Sequence, residues 1–345
     1  MHDQIIPLRG PERVRCRPAV VFGSADAKGV ENAIEMLLRR LIPGGCTELS
    51  VTVQPDNRVE IQDNGKGLYL DNWQALFDEI YAASPWEEAG SIFDAPADPT
   101  APVDSLELCA VQYAAAWMEV SVVREGLLQT LTFEKGKNIR PLSKAPTDAP
   151  TGTRIRFLPD ATVFSDITVD VPALSRYLQS LALQVPGLQT ACNGQVYRYS
   201  RGIADYLQGS PVYTAEGSAR GRERYNRPDY AGQVTLGLCF VKDGGFAECY
   251  HNLQPLPLGG THLDAVLQSI GSHLSWSLEL PVTPDFLQQH LQLVMVTTAD
   301  FTHWADTRQT AIGNIFLRDL AVDTLESDFA HFLRVNASAL SVLLH

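Results

Sequence analysis

The side chains whose types and spacing could do chemistry fall in three places. Asp63-Asn64-Gly65-Lys66-Gly67 follows a stretch in which Val59 and Ile61 alternate with polar residues. A carboxylate at the end of a strand is a fixed acceptor for a planar donor, and glycines beside it permit close backbone approach. Taken alone, the same string reads equally as a turn after a strand. Glu31 and Glu35 stand one helical turn apart and share a face. As a pair they could take a proton from water; as surface carboxylates near a helix start they would be stabilised by its dipole. In the second half His262, His303 and Asp306 are loose candidates for small-molecule chemistry, although a lone histidine is more often structural. No metal site is expected, because the six cysteines are widely spread, form no C-x-x-C pair and have no histidine at ligand spacing. They read as reduced core thiols of a cytoplasmic protein.

The elements that must hold these residues are legible in outline. Val30, Ala33, Ile34, Leu37, Leu38 and Leu41 recur at helical spacing over 29–42, and Pro43-Gly44-Gly45 ends that helix. Leu49, Val51 and Val53 alternate as a strand, the chain turns at Pro55-Asp56-Asn57, and a second strand leads to Asp63. Helical periodicity returns over 71–83, 84–104 reads as a long loop, and 106–117 suits a helix. Strands are expected at 118–124, 127–134 and 153–158, with a polar connection over 136–150. After an amphipathic helix at 172–184 come an Arg/Gly-rich loop at 216–228, strands at 232–241 and 246–251, and helices from Thr261 and near 306–325. The composition shifts near 160–170, so two domains are expected, 1–165 and 166–345. Interspersed helices and strands predict an α+β fold.

Composition narrows the function classes. The 345 residues are 45% apolar and 19% charged, and 27 basic residues against 40 acidic ones give a net charge of −13. That balance argues against a broad, sequence-independent grip on nucleic-acid phosphates. Nothing clusters the acids as a DNA mimic would need. No apolar run approaches the ~18 residues that span a bilayer, and residues 1–17 lack the apolar stretch of a signal peptide. A cytoplasmic location follows as the expectation.

Several landmarks occur together and in order. Glu12 to Pro18 followed by Phe22-Gly23, the stretch from Gly45-Cys46-Thr47-Glu48 to Gly67, Arg124-Glu125-Gly126, and Thr151-Gly152-Thr153 to Phe157 lie in the first half. Asn252 with Gly259-Gly260-Thr261-His262, and Trp304 to Asn314, lie in the second. In this order they resemble the N-terminal half of gyrase B and topoisomerase IV ParE subunits. The resemblance implies a Bergerat-fold (GHKL) ATP-binding domain, a two-layer α/β sandwich, followed by a transducer domain, with no DNA-cleavage region. It implies that Asp63 accepts the adenine amino group, with Gly65, Lys66 and Gly67 beside it. Thr153 would support that hydrogen-bond cluster, and Arg124 would stand at the pocket mouth, where family members also meet aminocoumarins.

The departures from the pattern are as informative. The family helix carries E-x3-N, a general base and a Mg²⁺ ligand; counting forward from Gly29-Val30 puts Met36 and Arg40 in those places. Sliding the register offers Glu31 and Glu35 as the base instead. The glycine-rich phosphate lid is matched by Asp104-Ser105-Leu106-Glu107-Leu108, with no glycine between Gly90 and Gly126. Bulky Cβ atoms would obstruct a backbone phosphate cradle, and acids would repel its guest. The family's Q-T-K lysine is replaced by Arg308 or Gln309 in Asp306-Thr307-Arg308-Gln309. The expectation is an ATP- or ADP-binding pseudo-ATPase with hydrolysis impaired and Mg²⁺ disfavoured. Alternatives are a decoy for a gyrase-B inhibitor, a weak ATPase, or a pocket recruited for other chemistry. Expected partners are a nucleotide or small molecule, and a second copy or a topoisomerase subunit, with no sequence-specific nucleic acid and no membrane.

Overall fold

The computed structural model describes residues 10–71, 73–77, 106–222, 230–337, 340 and 343. The chain divides into two compact units. The first runs to Ala182 and adds Gly187–Arg198; the second runs from Tyr199 and adds Leu183–Pro186. The expected break at 165 therefore moves to about Arg198.

The first unit opens with α1 (Pro11–Arg15), α2 (Pro18–Phe22) and α3 (Ala27–Leu41). Asp26 caps α3 by accepting the Lys28 amide at 3.0 Å, and the apolar stripe from Val30 to Leu41 is buried. Then come β1 (Glu48–Val53), β2 (Val59–Asp63), α4 (Trp73–Phe77), α5 (Leu106–Ala114) and β3 (Ala115–Arg124). Next are β4 (Leu127–Glu134), β5 (Lys137–Pro146), β6 (Gly152–Pro159), α6 (Val171–Gln184), β7 (Gln189–Cys192) and β8 (Gln195–Arg198). The strands form one eight-stranded sheet in the order β5-β4-β3-β6-β2-β1-β7-β8. Only β1 with β7 is parallel, Glu48 lying opposite Gln189. Two expectations change here. The helix at 106–117 gives way to β3 at Ala115, and the connection at 136–150 contains the edge strand β5, whose residues are mostly exposed. The loop at 84–104 and the helical continuation past Phe77 lie outside the described residues.

The second unit comprises α7 (Ile203–Tyr206), β9 (Tyr213–Gly221), β10 (Tyr230–Phe240), β11 (Phe246–His251), β12 (Gln254–Pro255) and β13 (Gly259–Gly260). It continues through α8 (Thr261–Leu278), α9 (Pro284–His290), β14 (Leu291–Ala299), β15 (Ala311–Ile312), α10 (Ile315–Glu326) and α11 (Phe329–Val335). Its main sheet has the order β12-β11-β14-β10-β9. Alternation along β10 sends Leu236 and Leu238 to the face covered by Val266, Ile270, Leu317 and Ala321, and Cys239 to the face covered by Ile203 and Leu207. The Arg/Gly-rich stretch expected as a loop from 216 is strand β9 up to Gly221, and the helix expected near 306–325 begins only at Ile315. The chain is α+β as expected.

Candidate functional site

Asp63 ends β2 where three neighbouring strands line up: Gln62 faces Arg154 on β6, and Thr153 faces Val122 on β3. Asp63 is only 7% exposed. Its Oδ1 accepts the Gly65 amide at 2.7 Å, while its buried Oδ2 has no hydrogen-bond partner. Burial is the largest influence on this carboxyl and raises its pKa, against lowering contributions from the Gly65 amide and from the amide and hydroxyl of Thr153. Those Thr153 groups are near enough to favour the charge without making a well-formed bond to Oδ2. The Thr153 hydroxyl instead accepts the Leu68 amide at 3.2 Å. Cys46 lies close enough for the Asp63 charge to matter: burial first and that charge second push its thiol up to about 11.

The loop after Asp63 is fixed by other means. Asn64 Oδ1 accepts the amides of Thr47 and Glu48, both at 2.9 Å, and its amide nitrogen donates to the Thr47 hydroxyl. Asn64 is thus a brace that closes the mouth of the β1–β2 hairpin. The glycines answer to packing as well. A Cβ on Gly65 would stand 2.9 Å from Asp63 Oδ1, and one on Gly67, at φ +77°, would stand 2.8 Å from the Val122 side chain. On Gly152 a Cβ would stand 2.2 Å from the Asp63 carbonyl oxygen. Lys66 is exposed, and its amide donates to the Gly44 carbonyl at 3.1 Å. Arg124, two residues beyond Val122 on β3, lies over the Tyr69 ring at 5.2 Å from its centroid and pairs with Glu125 at 3.3 Å. Asp63, Gly65, Gly67, Thr153 and Arg124 are thereby gathered around the start of β6.

The carboxylates on α3 are otherwise engaged. Lys28 Nζ stands 3.0 Å from Glu31 and 3.9 Å from Glu35, and Arg39 approaches Glu35 at 3.8 Å. Burial raises the Glu35 pKa despite those two cations. Asn32 was missed as a candidate although it is the one asparagine in α3. Setting the E-x3-N pattern on Asn32 puts Lys28 where the glutamate would stand. That register and the forward count ending on Met36 and Arg40 both leave the position without a carboxylate. Asn32 Nδ2 donates to the Phe22 carbonyl at 2.7 Å, holding the end of α2.

Of the lid stretch, Asp104 and Ser105 lie outside the described residues, and Leu106 to Leu108 are in α5. Arg308 is exposed in the second unit, in a loop organised by Asp306. That carboxylate accepts the amides of Arg308, Thr310 and Ala311 at 2.7–3.3 Å and the Thr310 hydroxyl at 2.9 Å. Asp306 is therefore a turn former. His262 is buried against Cys249 Sγ at 3.0 Å, and burial lowers its pKa to about 3. His303 is exposed. Asn252 exchanges both side-chain bonds with Ala299 at 3.0 Å, and Gly260 leaves no room for a Cβ, which would meet the Ile312 oxygen at 2.1 Å. These second-half landmarks do structural work.

No family model matches the chain. It is 26% identical over 288 residues, 76% of its length, to the B subunit of DNA gyrase from Thermotoga maritima, and 27% identical over 281 residues to that of Thermus thermophilus. Over 278 residues it is 26% identical to the B subunit of DNA topoisomerase 4 from Bacillus subtilis. It spans 42–44% of the length of these relatives. Among solved structures, the ATPase domain of Thermus thermophilus gyrase B in complex with an aminocoumarin matches 98% of this chain and 93% of its own, with a TM-score of 0.75 and 19% identity. The gyrase B structure from Myxococcus xanthus matches 97% of this chain with a TM-score of 0.74.

Proposed function

Because the chain is homologous to the ATPase region of gyrase B and topoisomerase IV B subunits, we propose that it binds a nucleotide or another adenine-like small molecule through its first unit and hydrolyses ATP poorly or not at all. The first unit would act as the GHKL-like ligand domain and the second as a transducer-like domain. One observation carries the reading: Asp63 Oδ2 is buried without a hydrogen-bond partner. A desolvated carboxylate oxygen left unpaired is costly, and a planar N–H donor delivered by a ligand removes that cost. ATP and ADP both supply such a donor.

The fit is one-sided. Activating water for attack on a phosphoryl group needs a base and a countercharge. In α3 the asparagine-anchored register offers Lys28, and Glu31 and Glu35 are held by that same lysine. Two anionic groups already share the cation, which leaves little room for Mg²⁺ chemistry there. Within the first unit the exposed Lys66, beside Asp63, is a cation on offer to a phosphate.

A second reading shares the same carboxylate. Arg124, stacked on Tyr69 two residues beyond Val122, is the type of group that grips an aminocoumarin, and a protein of this fold has been solved with one bound. In that reading the chain sequesters a gyrase-B inhibitor. Calorimetric titration with ATP, ADP and novobiocin, beside a phosphate-release assay, separates the two. Nucleotide binding with turnover at background supports the first reading, and novobiocin binding without nucleotide binding supports the second. Vigorous Mg²⁺-dependent turnover overturns the proposal. Whether the chain pairs with itself or with a topoisomerase subunit is read by mass photometry of the mixture.

A further inference from the structure

The second unit contains a cavity of about 720 Å³ between α8, α9 and the start of β11, lined among others by Phe246, Leu267, Val282 and Leu287. Its volume falls within the range of sites that hold drug-sized molecules. Nothing in the reading of the first unit accounts for it.

Gly271 forms part of its wall, in the middle of the 18-residue helix α8. Glycine inside a helix weakens it, so such a position usually has a packing reason. Gly29, inside α3, has one: its Cβ would stand 2.3 Å from the Ser24 carbonyl oxygen. Gly271 has none, because the nearest atom to its Cβ would be Leu287 Cδ1 at 3.7 Å, an ordinary contact. What the missing side chain provides is space in the cavity. The rim is set by neighbouring hydrogen bonds: Ser275 Oγ accepts the Val282 amide at 3.0 Å, tying the segment after α8 back onto the helix.

The charge of the wall selects the guest. Asp264 is the one ionisable side chain lining the cavity, no lysine, arginine or histidine joins it, and among the described residues it forms no ion pair. Apolar walls with a single carboxylate among them favour an apolar body carrying a cation, and they disfavour anions, nucleotides included. We infer that the second unit carries a binding groove for a cationic, largely apolar small molecule, with Gly271 opening the groove and Asp264 meeting the positive charge.

The test uses the full chain and isothermal titration calorimetry with imipramine, a tricyclic amine, and with 8-anilinonaphthalene-1-sulfonate as an anionic aromatic control. Imipramine is expected to bind with a dissociation constant of about 100 µM or tighter, as suits about twenty heavy atoms. The sulfonate is expected to bind at least about tenfold more weakly. Gly271→Leu should weaken imipramine at least about tenfold by filling the groove, with the unliganded melting temperature unchanged or higher. Asp264→Asn should weaken it about fivefold to tenfold. Asp63→Asn should leave it unchanged, which separates this site from the one in the first unit. Should Gly271→Leu fail to fold, Ser272→Phe, at an exposed position on the same wall, reads the same blockade. The inference is overturned if imipramine shows no saturable binding up to about 1 mM, if it binds the filled variants as well as wild type, or if the sulfonate binds as tightly as the amine.

Discussion

At Asp63 two effects oppose one another on a single carboxylate. Burial disfavours its charge, and the Gly65 amide with Thr153 favours it, the first being larger. The folded pKa is therefore raised, so stability falls as pH climbs from the ordinary aspartate value of about 3.9 through the folded value, and the loss is complete above it. Asp63→Asn removes this dependence and keeps an oxygen for the Gly65 amide. Its unliganded melting temperature at pH 7 should equal wild type or exceed it by up to about 3 °C. A drop larger than that would mean the charge is held by stabilising contacts. Binding moves the other way. An adenine-like or aminocoumarin-like donor bonds best to the ionised form, so affinity should fall as pH drops through the raised pKa. At pH 7 Asp63→Asn should weaken such a ligand roughly tenfold to hundredfold, the span of about 1.5–3 kcal/mol for a bond to a charged group. Calorimetry across pH on both proteins checks each statement. The place of Asp63 at the end of β2 was legible from the alternation before it, whereas the bonds of Asn64 and Asn32 were not. Both make bonds to chain far away in sequence or in another element, and such bonds leave no local pattern.

Among the elements, the clearest case is the crossing of β6 with the end of β2. Gly152→Ala would drive a Cβ into the Asp63 carbonyl oxygen at 2.2 Å, so the strands must separate. The expected cost is about 2–4 kcal/mol, read as a shift of the urea midpoint. Gly126→Ala is the matched control. At φ +74° with nothing within 4 Å, it should cost only the left-handed strain of about 1–2 kcal/mol. Equal losses at the two positions would contradict the crossing. The elements misread from sequence were misread for physical reasons. β5 is a largely exposed edge strand carrying Lys137, Lys144, Pro141 and Pro146, residues that protect an edge and also signal a loop. In β9 the glycines that suggested a loop mark where α10 lies against the strand: a Cβ on Gly217 would meet Thr324 Oγ1 at 2.1 Å, and one on Gly221 the Phe316 ring at 2.3 Å. Helix α3 was legible to within two residues of its ends from its stripe and its stop, while its cap, Asp26, was not read.

For the molecule as a whole, charge and the proposed lack of a base set the expectations. With a net charge of −13, the full chain should show no retardation of a short DNA duplex at micromolar concentration and about 0.15 M salt, measured by gel shift. ATP turnover should sit at the background of the phosphate-release assay, and neither Glu31→Gln nor Glu35→Gln should change it. A robust rate abolished by either variant would identify that glutamate as the base. No helix among the described residues is long and apolar enough to cross a membrane. The division into units was the least legible large feature. The composition shift near 165 marks only the loop after β6, while β7 returns to pair in parallel with β1, about 140 residues earlier. A pairing of that range is written in no single window of the sequence.

The bracing of the Asp63 loop has a consequence for how such a chain changes over descent. Asn64, Gly65, Gly67 and Gly152 answer to the fold: each is held by backbone bonds or by the absence of room, whether or not anything binds. A lineage released from its ancestral chemistry would keep them while the half-buried carboxylates and the cations of α3 drifted. The Asn64-to-Gly67 string taken alone would therefore testify only to a shared scaffold. The second oxygen of Asp63 is different, since no well-formed hydrogen bond reaches it among the described residues, and selection could erase it at a gain in stability. A chain that bound nothing there would have no physical reason to keep it.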